Sequence, residues 1–309
     1  MASIPVIEAE VDFHVDGAGK PYKTWYTIFG TFPSPNGIRP LVCVHGGPGV
    51  PHDCLLAIQN LYTTHTIPVI MYDQLGCGRS THLPEKKGDN DFWTIELFLL
   101  ELDNLLAHLG IQNDYALLGQ SWGGQVAAEH AVRQPKGLKS LVIANSPASM
   151  PSYVAAIQEL LNEMPPDTQA TLRKHEADGT LDTAEYQQAR MQYFAKHMCR
   201  VSPPPPELMA CFVALKQDPT VNHTINGPYV FKRIGPRGTW SIVDRISKIN
   251  APTLLISGKY DGVPASTMQP FFDRIDKVKW VTFAESSHFP HMEEPEEFLK
   301  VLGGFLSLN

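Results

Sequence analysis

The sequence has little charge and no concentration of positive charge. Charged residues make up 18% of the 309 residues, and the formal net charge is -7. Nucleic acids and anionic membrane surfaces are bound through clusters of Lys and Arg, so neither partner is expected. We predict that the chain acts on a small molecule or a short peptide-like substrate. The composition predicts no particular oligomeric state.

Long apolar runs are also missing. A membrane-spanning helix needs about 18 consecutive apolar residues, and no such stretch occurs in the sequence. The first residues include Glu8, Glu10 and Asp12, where a secretory signal would carry cations followed by an apolar run. We therefore expect no membrane association and a cytoplasmic location.

The sequence has few cysteines and lacks metal-binding patterns. Its five cysteines are odd in number and form no CxxC pair, which disfavours a disulfide framework and a zinc site. There is no HExxH or Walker pattern, and the twelve histidines are scattered. Gly76-Cys77-Gly78 begins like a dinucleotide-binding fingerprint, but Thr81 occupies the third glycine position. We predict no metal and no cofactor.

Short apolar runs alternate with helical patterns along most of the chain. Residues 4–32 show alternating apolar positions broken by Asp16-Gly17-Ala18-Gly19, which predicts an antiparallel hairpin. The segment after Thr94 has apolar residues at spacings of three and four and stops at Gly110, which predicts an amphipathic helix. Such alternation indicates an α/β fold with a parallel sheet covered on both faces. Strands are predicted over 41–44, 69–72, 116–118, 141–144, 253–257 and 279–283, and further helices over 268–274 and from 295.

Residues 148–235 break this alternation. They contain helical patterns over 152–163, 168–178 and 183–199, the proline run 203–206, and no strand pattern. We predict that residues 148–235 form a helical cap, or lid, over one edge of the sheet. The core domain is then expected to consist of residues 1–147 and 236–309.

The stretch GQSWGG, from Gly119 to Gly124, follows the apolar run of a predicted strand and precedes a helical pattern. It matches G-x-S-x-G, in which a nucleophilic serine occupies a strained strand-to-helix turn. Glycines are needed there because larger side chains would collide with the adjoining strand and helix. The pattern predicts that Ser121 is a nucleophile.

A second glycine loop, His45-Gly46-Gly47-Pro48-Gly49, directly follows the predicted strand 41–44. Such a loop can present a backbone NH to a substrate oxyanion, together with the NH of the residue after the nucleophile. We predict that the NH groups of Gly47 and Trp122 form an oxyanion hole.

A serine nucleophile needs a base and an orienting acid, which follow it in the order Ser, Asp or Glu, His. Asp261 comes after the predicted strand 253–257, and His288 comes after the strand 279–283. Both residues are therefore expected at the sheet edge that carries Ser121. His291 is the rival base, and Asp244 and Asp273 are the rival acids.

Several motifs together make the chain resemble the α/β-hydrolase fold and, within it, the proline iminopeptidase family of serine peptidases. They are HGGPG, YDQLGCGRS (residues 72–80), GQSWGG, SGKYD and SSHFPH. The resemblance spans most of the chain and implies a mostly parallel eight-stranded sheet flanked by helices, with a helical cap domain. It also implies a catalytic triad of Ser121, Asp261 and His288, an oxyanion hole from Gly47 and Trp122, and no cofactor.

The sequence departs from this family where the family binds a substrate amine. In members that remove N-terminal residues, a glutamate in a cap motif GPxEF and an acidic residue just after the triad aspartate hold the substrate's ammonium group. Val230 and Gly262 occupy these positions here. An unpaired buried ammonium is costly, so a neutral substrate is expected unless another cap acid substitutes. The expected substrate-binding residues are Gly46, Tyr229, Val230 and Gly262, and the candidate substitute acids are Glu159, Glu163 and Asp167.

The sequence thus predicts a serine hydrolase that cleaves an ester or amide bond of a small, largely neutral substrate through an acyl-enzyme. The nearest alternative is an aminopeptidase of the proline iminopeptidase type. A further alternative is a non-hydrolytic role on the same fold, either acyl transfer or cyclisation, or ligand binding without turnover.

Overall fold

The short apolar runs of the sequence form one sheet. The computed structural model describes residues 3–309 of the chain. The strands in this part are β1 (Val6–Phe13), β2 (Tyr22–Phe29), β3 (Leu41–Val44), β4 (Val69–Tyr72), β5 (Tyr115–Gln120), β6 (Leu138–Ala144), β7 (Thr253–Gly258) and β8 (Val278–Phe283). They form an eight-stranded sheet in the order β1-β2-β4-β3-β5-β6-β7-β8. The antiparallel pairs involve β1 and β2, and the pairs from β4 to β8 are parallel. The predicted hairpin and the mostly parallel sheet are confirmed.

Side chains of the central strands are buried on both faces of the sheet. Along β5, Leu117 packs into one hydrophobic cluster, whereas Ala116 and Leu118 pack into another. The alternation follows from the pleat, which directs successive side chains to opposite faces. A strand covered on both faces must be apolar at every position, which explains the continuous apolar runs.

Helices cover both faces of the sheet. The predicted helix after Thr94 is confirmed, and the Thr94 side chain accepts a hydrogen bond from the backbone NH of Leu97, 3.3 Å away. The helices are α1 (Leu61–His65), α2 (Ile95–His108), α3 (Trp122–Val132), α4 (Met150–Asn162), α5 (Pro166–Asp178), α6 (Ala184–His197), α7 (Pro206–Gln217), α8 (Thr220–Asn226), α9 (Ala265–Arg274), α10 (Pro290–Glu293) and α11 (Pro295–Leu306), with 3-10 turns at His52–Asn60, Pro84–Lys86, Pro236–Thr239 and Val243–Lys248.

Residues 148–235, which we call the helical segment, contain α4 to α8. Part of the segment has its own hydrophobic cluster, which includes Leu161, Leu172 and Phe231. The sequence pattern did not predict α7 and α8. The structure begins α7 at Pro206, the last residue of the proline run, because a proline in the first turn of a helix loses no hydrogen bond there.

The end of α6 contacts two loops of the core. The backbone NH of Gly262 donates to the carbonyl of His197 at 2.8 Å, and the NH of His288 donates to the carbonyl of Met198 at 3.1 Å. These loops follow β7 and β8, so the helical segment touches the sheet edge where functional residues were expected. None of the helices within residues 3–309 has the length and apolar character needed to cross a bilayer.

Candidate active site

Ser121 lies at the junction between β5 and α3. Its backbone has φ 55° and ψ -118°, a conformation that costs energy for a residue with a side chain. The NH of Ser121 donates to the carbonyl of Ala144 at the end of β6, 2.9 Å away. The strained turn is thereby tied to the neighbouring strand.

The glycines around Ser121 are required by close backbone contacts. A Cβ on Gly119 would lie 2.1 Å from the carbonyl oxygen of Gly123, and a Cβ on Gly123 would lie 2.0 Å from the carbonyl oxygen of Val44. A Cβ on Gly124 would lie 2.4 Å from the Cβ of Ser146. These distances are far below van der Waals contact, which explains the glycine-rich motif.

Asp261 and His288 lie together in the loops after β7 and β8. The Nδ1 atom of His288 is 2.7 Å from Oδ1 of Asp261, and both residues are buried. The Asp261 carboxylate also accepts hydrogen bonds from the NH of Val263 at 2.8 Å and from Nδ2 of Asn145 at 2.6 Å. The carboxylate is thus fixed by three donors, and the imidazole ring is oriented by the carboxylate.

Contacts of neighbouring residues bring Ser121 to the same sheet edge. Gln120, which precedes Ser121, donates from Nε2 to the carbonyl of His288 at 3.1 Å. A Cβ built on Gly46 would lie 3.1 Å from the Cβ of Ser121. The expected nucleophile is therefore linked to both the His288 loop and the first glycine loop.

Gln74 connects the two segments that carry the expected oxyanion donors. Trp122 is the first residue of α3, and NH groups in the first turn of a helix have no partner within it. Its indole Nε1 donates to Oε1 of Gln74 at 2.9 Å, while Nε2 of Gln74 donates to the carbonyl of His45 at 3.0 Å. Gly47 has φ 112°, a region that favours glycine. Gln74 therefore connects the loop of Gly47 to the residue after Ser121.

Sequence reasoning missed both Gln74 and Asn145. Each residue comes within two positions of the end of a buried parallel strand, Gln74 after β4 and Asn145 directly after β6. Polar residues in this position lie at the carboxyl edge of the sheet, where ligands of open α/β sheets bind. The same reasoning that selected Asp261 and His288 would have found them.

A buried group of potential metal ligands consists of His45, Asp73 and Cys77. Hydrogen bonds already engage these atoms. Nε2 of His45 accepts from the NH of Gln74 at 2.9 Å, and Oδ1 of Asp73 accepts from the NH of His52 at 2.8 Å. Burial lowers the pKa of His45 to about 4, which keeps the ring neutral. We assign no metal to this group because its donor atoms already form hydrogen bonds that hold the loops.

The rival acids and base lie in other environments. His291 is buried, its Nε2 lies 2.7 Å from the carbonyl of Cys54, and burial lowers its pKa to about 4. Asp244 and Asp273 are exposed, and Asp273 accepts a hydrogen bond from Gln269 at 2.8 Å. In contrast to Asp261, neither acid is held next to an imidazole.

The expected substrate-binding residues are spread over two regions. A Cβ on Gly262 would lie 3.2 Å from the carbonyl of His197 and 3.5 Å from the hydroxyl of Tyr193, so Gly262 faces the helical segment. The NH of Val230 donates to Oε1 of the buried Glu176 at 2.8 Å. Tyr229, next to it, is half-buried. The contacts of Val230 are internal to the helical segment.

The acids of the helical segment are exposed or already engaged. Oε1 of Glu176 accepts hydrogen bonds from the NH groups of Val230 and Phe231 and from the hydroxyl of Tyr186, at 2.8, 3.0 and 3.1 Å. The candidate substitute acids Glu159, Glu163 and Asp167 are all exposed.

Two arginines approach the site from the helical segment and the turn that follows it. The guanidinium of Arg237 lies 5.3 Å from the centre of the Trp122 ring, and that of Arg233 lies 5.8 Å from the Tyr153 ring. Nε of Arg233 is buried and has no hydrogen-bond partner in the described part of the chain. Arg237 therefore places a positive charge beside the Trp122 ring.

Comparisons with known proteins agree with this fold. A family model described as the alpha/beta hydrolase fold matches residues 39–295. The proline iminopeptidase of Thermoplasma volcanium is 32% identical over 87% of this chain and 89% of its own length, and that of Saccharolobus solfataricus is 31% identical over 87% and 84%. Among solved structures, VinJ superposes with a TM-score of 0.91 at 45% identity, and a proline iminopeptidase of Mycobacterium smegmatis with 0.88 at 40%. Each alignment covers 97% of this chain and 98% of the other.

Proposed function

Because the chain belongs to the proline iminopeptidase family of α/β hydrolases, we propose that it is a serine hydrolase with Ser121 as its nucleophile. Family membership makes it an enzyme of the peptidase or esterase type. The observation that carries the assignment of residues is the 2.7 Å contact between His288 and Asp261. It occurs at the sheet edge where β5 delivers Ser121.

In the proposed mechanism, His288 takes the hydroxyl proton as Ser121 attacks the substrate carbonyl. Because Nδ1 of His288 faces Asp261, the proton is taken by Nε2. The Asp261 carboxylate stabilises the imidazolium that results. The leaving group then receives the proton. In the second stage water attacks the acyl carbonyl while His288 takes a proton from the water, and Ser121 leaves as it recovers that proton.

The NH groups of Gly47 and Trp122 are the proposed oxyanion donors. Each such donor typically contributes about 3 kcal/mol to the stability of the transition state. The position of Trp122 at the start of α3 supports this role, since the positive end of the helix dipole faces developing negative charge there.

We propose a small, largely neutral substrate, bound by Gly46, Tyr229, Val230 and Gly262. The support is electrostatic. The acids expected for amine binding are absent from the two family positions, and the guanidinium of Arg237 lies 5.3 Å from the centre of the Trp122 ring. Placing an ammonium group in such surroundings would cost several kcal/mol.

Two measurements test the proposal. Fluorophosphonate should label the wild-type protein once and leave Ser121→Ala unlabelled, and that variant should lose at least a thousandfold in kcat on p-nitrophenyl acetate. For the substrate class, N-acetyl-proline p-nitroanilide is compared with proline p-nitroanilide. We expect kcat/KM to be at least tenfold higher for the acetylated compound, whereas a preference for the free amine would refute the neutral-substrate proposal.

The second candidate function is an aminopeptidase. The names of the relatives from Thermoplasma volcanium and Mycobacterium smegmatis favour it. The same pair of anilides distinguishes it, because an aminopeptidase requires the free amine. Acyl transfer would appear as a transfer product when a competing amine or alcohol is added.

Domain organisation and cellular location complete the proposal. We propose that residues 148–235 act as a cap on a core of residues 1–147 and 236–309, supported by the separate hydrophobic cluster of the helical segment. A cytoplasmic location is supported by the five cysteines, which are all buried free thiols and suit a reducing compartment.

A further inference from the structure

Arg237 is a cation held by neutral groups. Its Nε donates to Oε1 of Gln125 at 2.7 Å, and its Nη1 donates to Oδ1 of Asn226 at 2.8 Å. Burial, together with the charge of the neighbouring Arg233, lowers the pKa of Arg237 to about 9. The guanidinium is nevertheless charged at neutral pH. Bringing such a group into the protein without a carboxylate is unfavourable, which calls for a role that offsets the cost.

Asn226, one of the two partners of Arg237, leads to the loop of the proposed oxyanion hole. Asn222 and Asn226 are four positions apart on α8, so they share one face of the helix. Their Nδ2 atoms donate to the carbonyls of Pro48 at 3.0 Å and Gly47 at 3.4 Å. Two side-chain amides of α8 thus hold the two consecutive carbonyls that follow the Gly47 NH.

The bond from Arg237 determines which end of the Asn226 amide faces the loop. A guanidinium only donates hydrogen bonds, so the oxygen of Asn226 must face Arg237. Its NH₂ group is then left to face the carbonyl of Gly47. Without Arg237, the amide could turn and present its oxygen to that carbonyl, which would repel it.

The contacts of Arg237 with Gln125 and the Trp122 ring lead to the other proposed donor, the NH of Trp122. Gln125 is in the first turn of α3, and the guanidinium lies 5.3 Å from the ring centre of Trp122. One guanidinium therefore contacts α3 directly and reaches the loop of Gly47 through Asn226.

We propose that Arg237, acting through Asn226, is a positioning residue that fixes the loop of Gly47 relative to Trp122 and so keeps the oxyanion hole assembled. The inference rests on the proposed function, because it needs the two NH groups to bind the oxyanion. It predicts that loss of the link affects the transition state more than the bound substrate, and so lowers kcat rather than raising KM.

Two variants separate positioning from support of the fold. Arg237→Leu removes both hydrogen bonds. Asn226→Asp keeps and strengthens the contact with Arg237, but its carboxylate cannot donate to the carbonyl of Gly47. A purely structural role predicts that Asn226→Asp is harmless, whereas the positioning role predicts a loss as large as that of Arg237→Leu.

The matched control is Arg173→Leu. Arg173 is an exposed arginine of the helical segment that also binds two neutral side chains, Gln158 at 3.2 Å and Asn162 at 2.6 Å. It has no link to the glycine loop through these partners. Its replacement is expected to leave kcat and KM within twofold of the wild type.

The experiment measures kcat and KM for p-nitrophenyl acetate. We expect Arg237→Leu and Asn226→Asp each to lower kcat by at least tenfold with KM within twofold. If Arg237→Leu does not fold, Asn226→Asp decides the question alone. A kcat within twofold of the wild type in folded Asn226→Asp, or a loss confined to KM, would overturn the inference. Ser121→Ala is measured in parallel, because activity that survives in Ser121→Ala refutes the proposed function instead.

Discussion

Asn145 shows how one residue can set the geometry of the site. It follows β6 directly and has φ 52°, a left-handed conformation that asparagine tolerates better than most residues. Its Nδ2 lies 2.6 Å from Oδ2 of Asp261 and 3.2 Å from the carbonyl of Ser287. A single amide therefore contacts the proposed acid and the residue before the proposed base.

We predict that Asn145→Gly lowers kcat/KM about tenfold to a hundredfold. Hydrogen bonds to charged groups are each worth about 1.5–3 kcal/mol, and here the bond orients the carboxylate that orients His288. Glycine accepts the positive φ without strain, so the variant removes the amide and preserves the backbone. The measurement is steady-state kinetics on p-nitrophenyl acetate.

The control for Asn145→Gly is Gln134→Gly. Gln134 also has a positive φ, 56°, but is exposed and donates to the carbonyl of Lys248. Its replacement should leave kcat/KM within twofold. Equal activity of the two variants would show that the bond from Asn145 to Asp261 does not matter for turnover.

At the scale of elements, the position of α3 depends on how closely it approaches β3. Gly123 is in the first turn of α3, and a Cβ there would lie 2.0 Å from the carbonyl oxygen of Val44 and 2.7 Å from that of His45. Both atoms belong to the backbone and cannot turn aside. Helix and strand would have to separate, and with them the two proposed oxyanion donors.

We predict that Gly123→Ala lowers the free energy of unfolding by about 3 kcal/mol, at the upper end of the range for overpacking, and abolishes most activity. Gly304→Ala is the control, because Gly304 lies in α11 with nothing within 4 Å of a Cβ. That change should stabilise the protein by about 0.5–1 kcal/mol. Urea unfolding measures both, and equal midpoints would contradict the expected clash.

At the scale of the whole molecule, the sequence predicted what depends on local pattern. Continuous apolar runs identified the buried strands, because a strand covered on both faces must be apolar throughout. The helix α7 was missed because a proline run looks like an interruption, although Pro206 begins the helix. The hydrogen bonds of Gln74, Asn145 and Arg237 could not be predicted, since they join residues brought together only by the sheet order.

Glu101 connects three parts of the molecule, namely α2, β2 and the loop after β4. It belongs to α2 and is completely buried. Its carboxyl group accepts hydrogen bonds from the hydroxyl of Thr24 in β2 at 2.6 Å and from the NH of Leu75, after β4, at 3.0 Å. Burial raises the pKa of Glu101 to about 7, against these hydrogen bonds, which lower it.

The raised pKa predicts how the stability of the whole protein depends on pH. In the unfolded chain the carboxyl group titrates near 4.5, so between about 4.5 and 7 the folded protein binds more protons there than the unfolded chain. The stabilising contribution of Glu101 is therefore complete below pH 4.5 and is lost as the pH rises through 7. The total change is on the order of 3 kcal/mol.

Glu101→Gln removes this titration, because an amide stays neutral at every pH. The free energy of unfolding of the wild type minus that of Glu101→Gln should decrease as the pH rises from 5 to 8. Urea unfolding at several pH values measures it, and groups shared by both proteins, such as the buried His130 and His291, cancel in the difference. Parallel pH profiles would mean that the folded protein keeps Glu101 ionised, with Thr24 and Leu75 fully offsetting its burial.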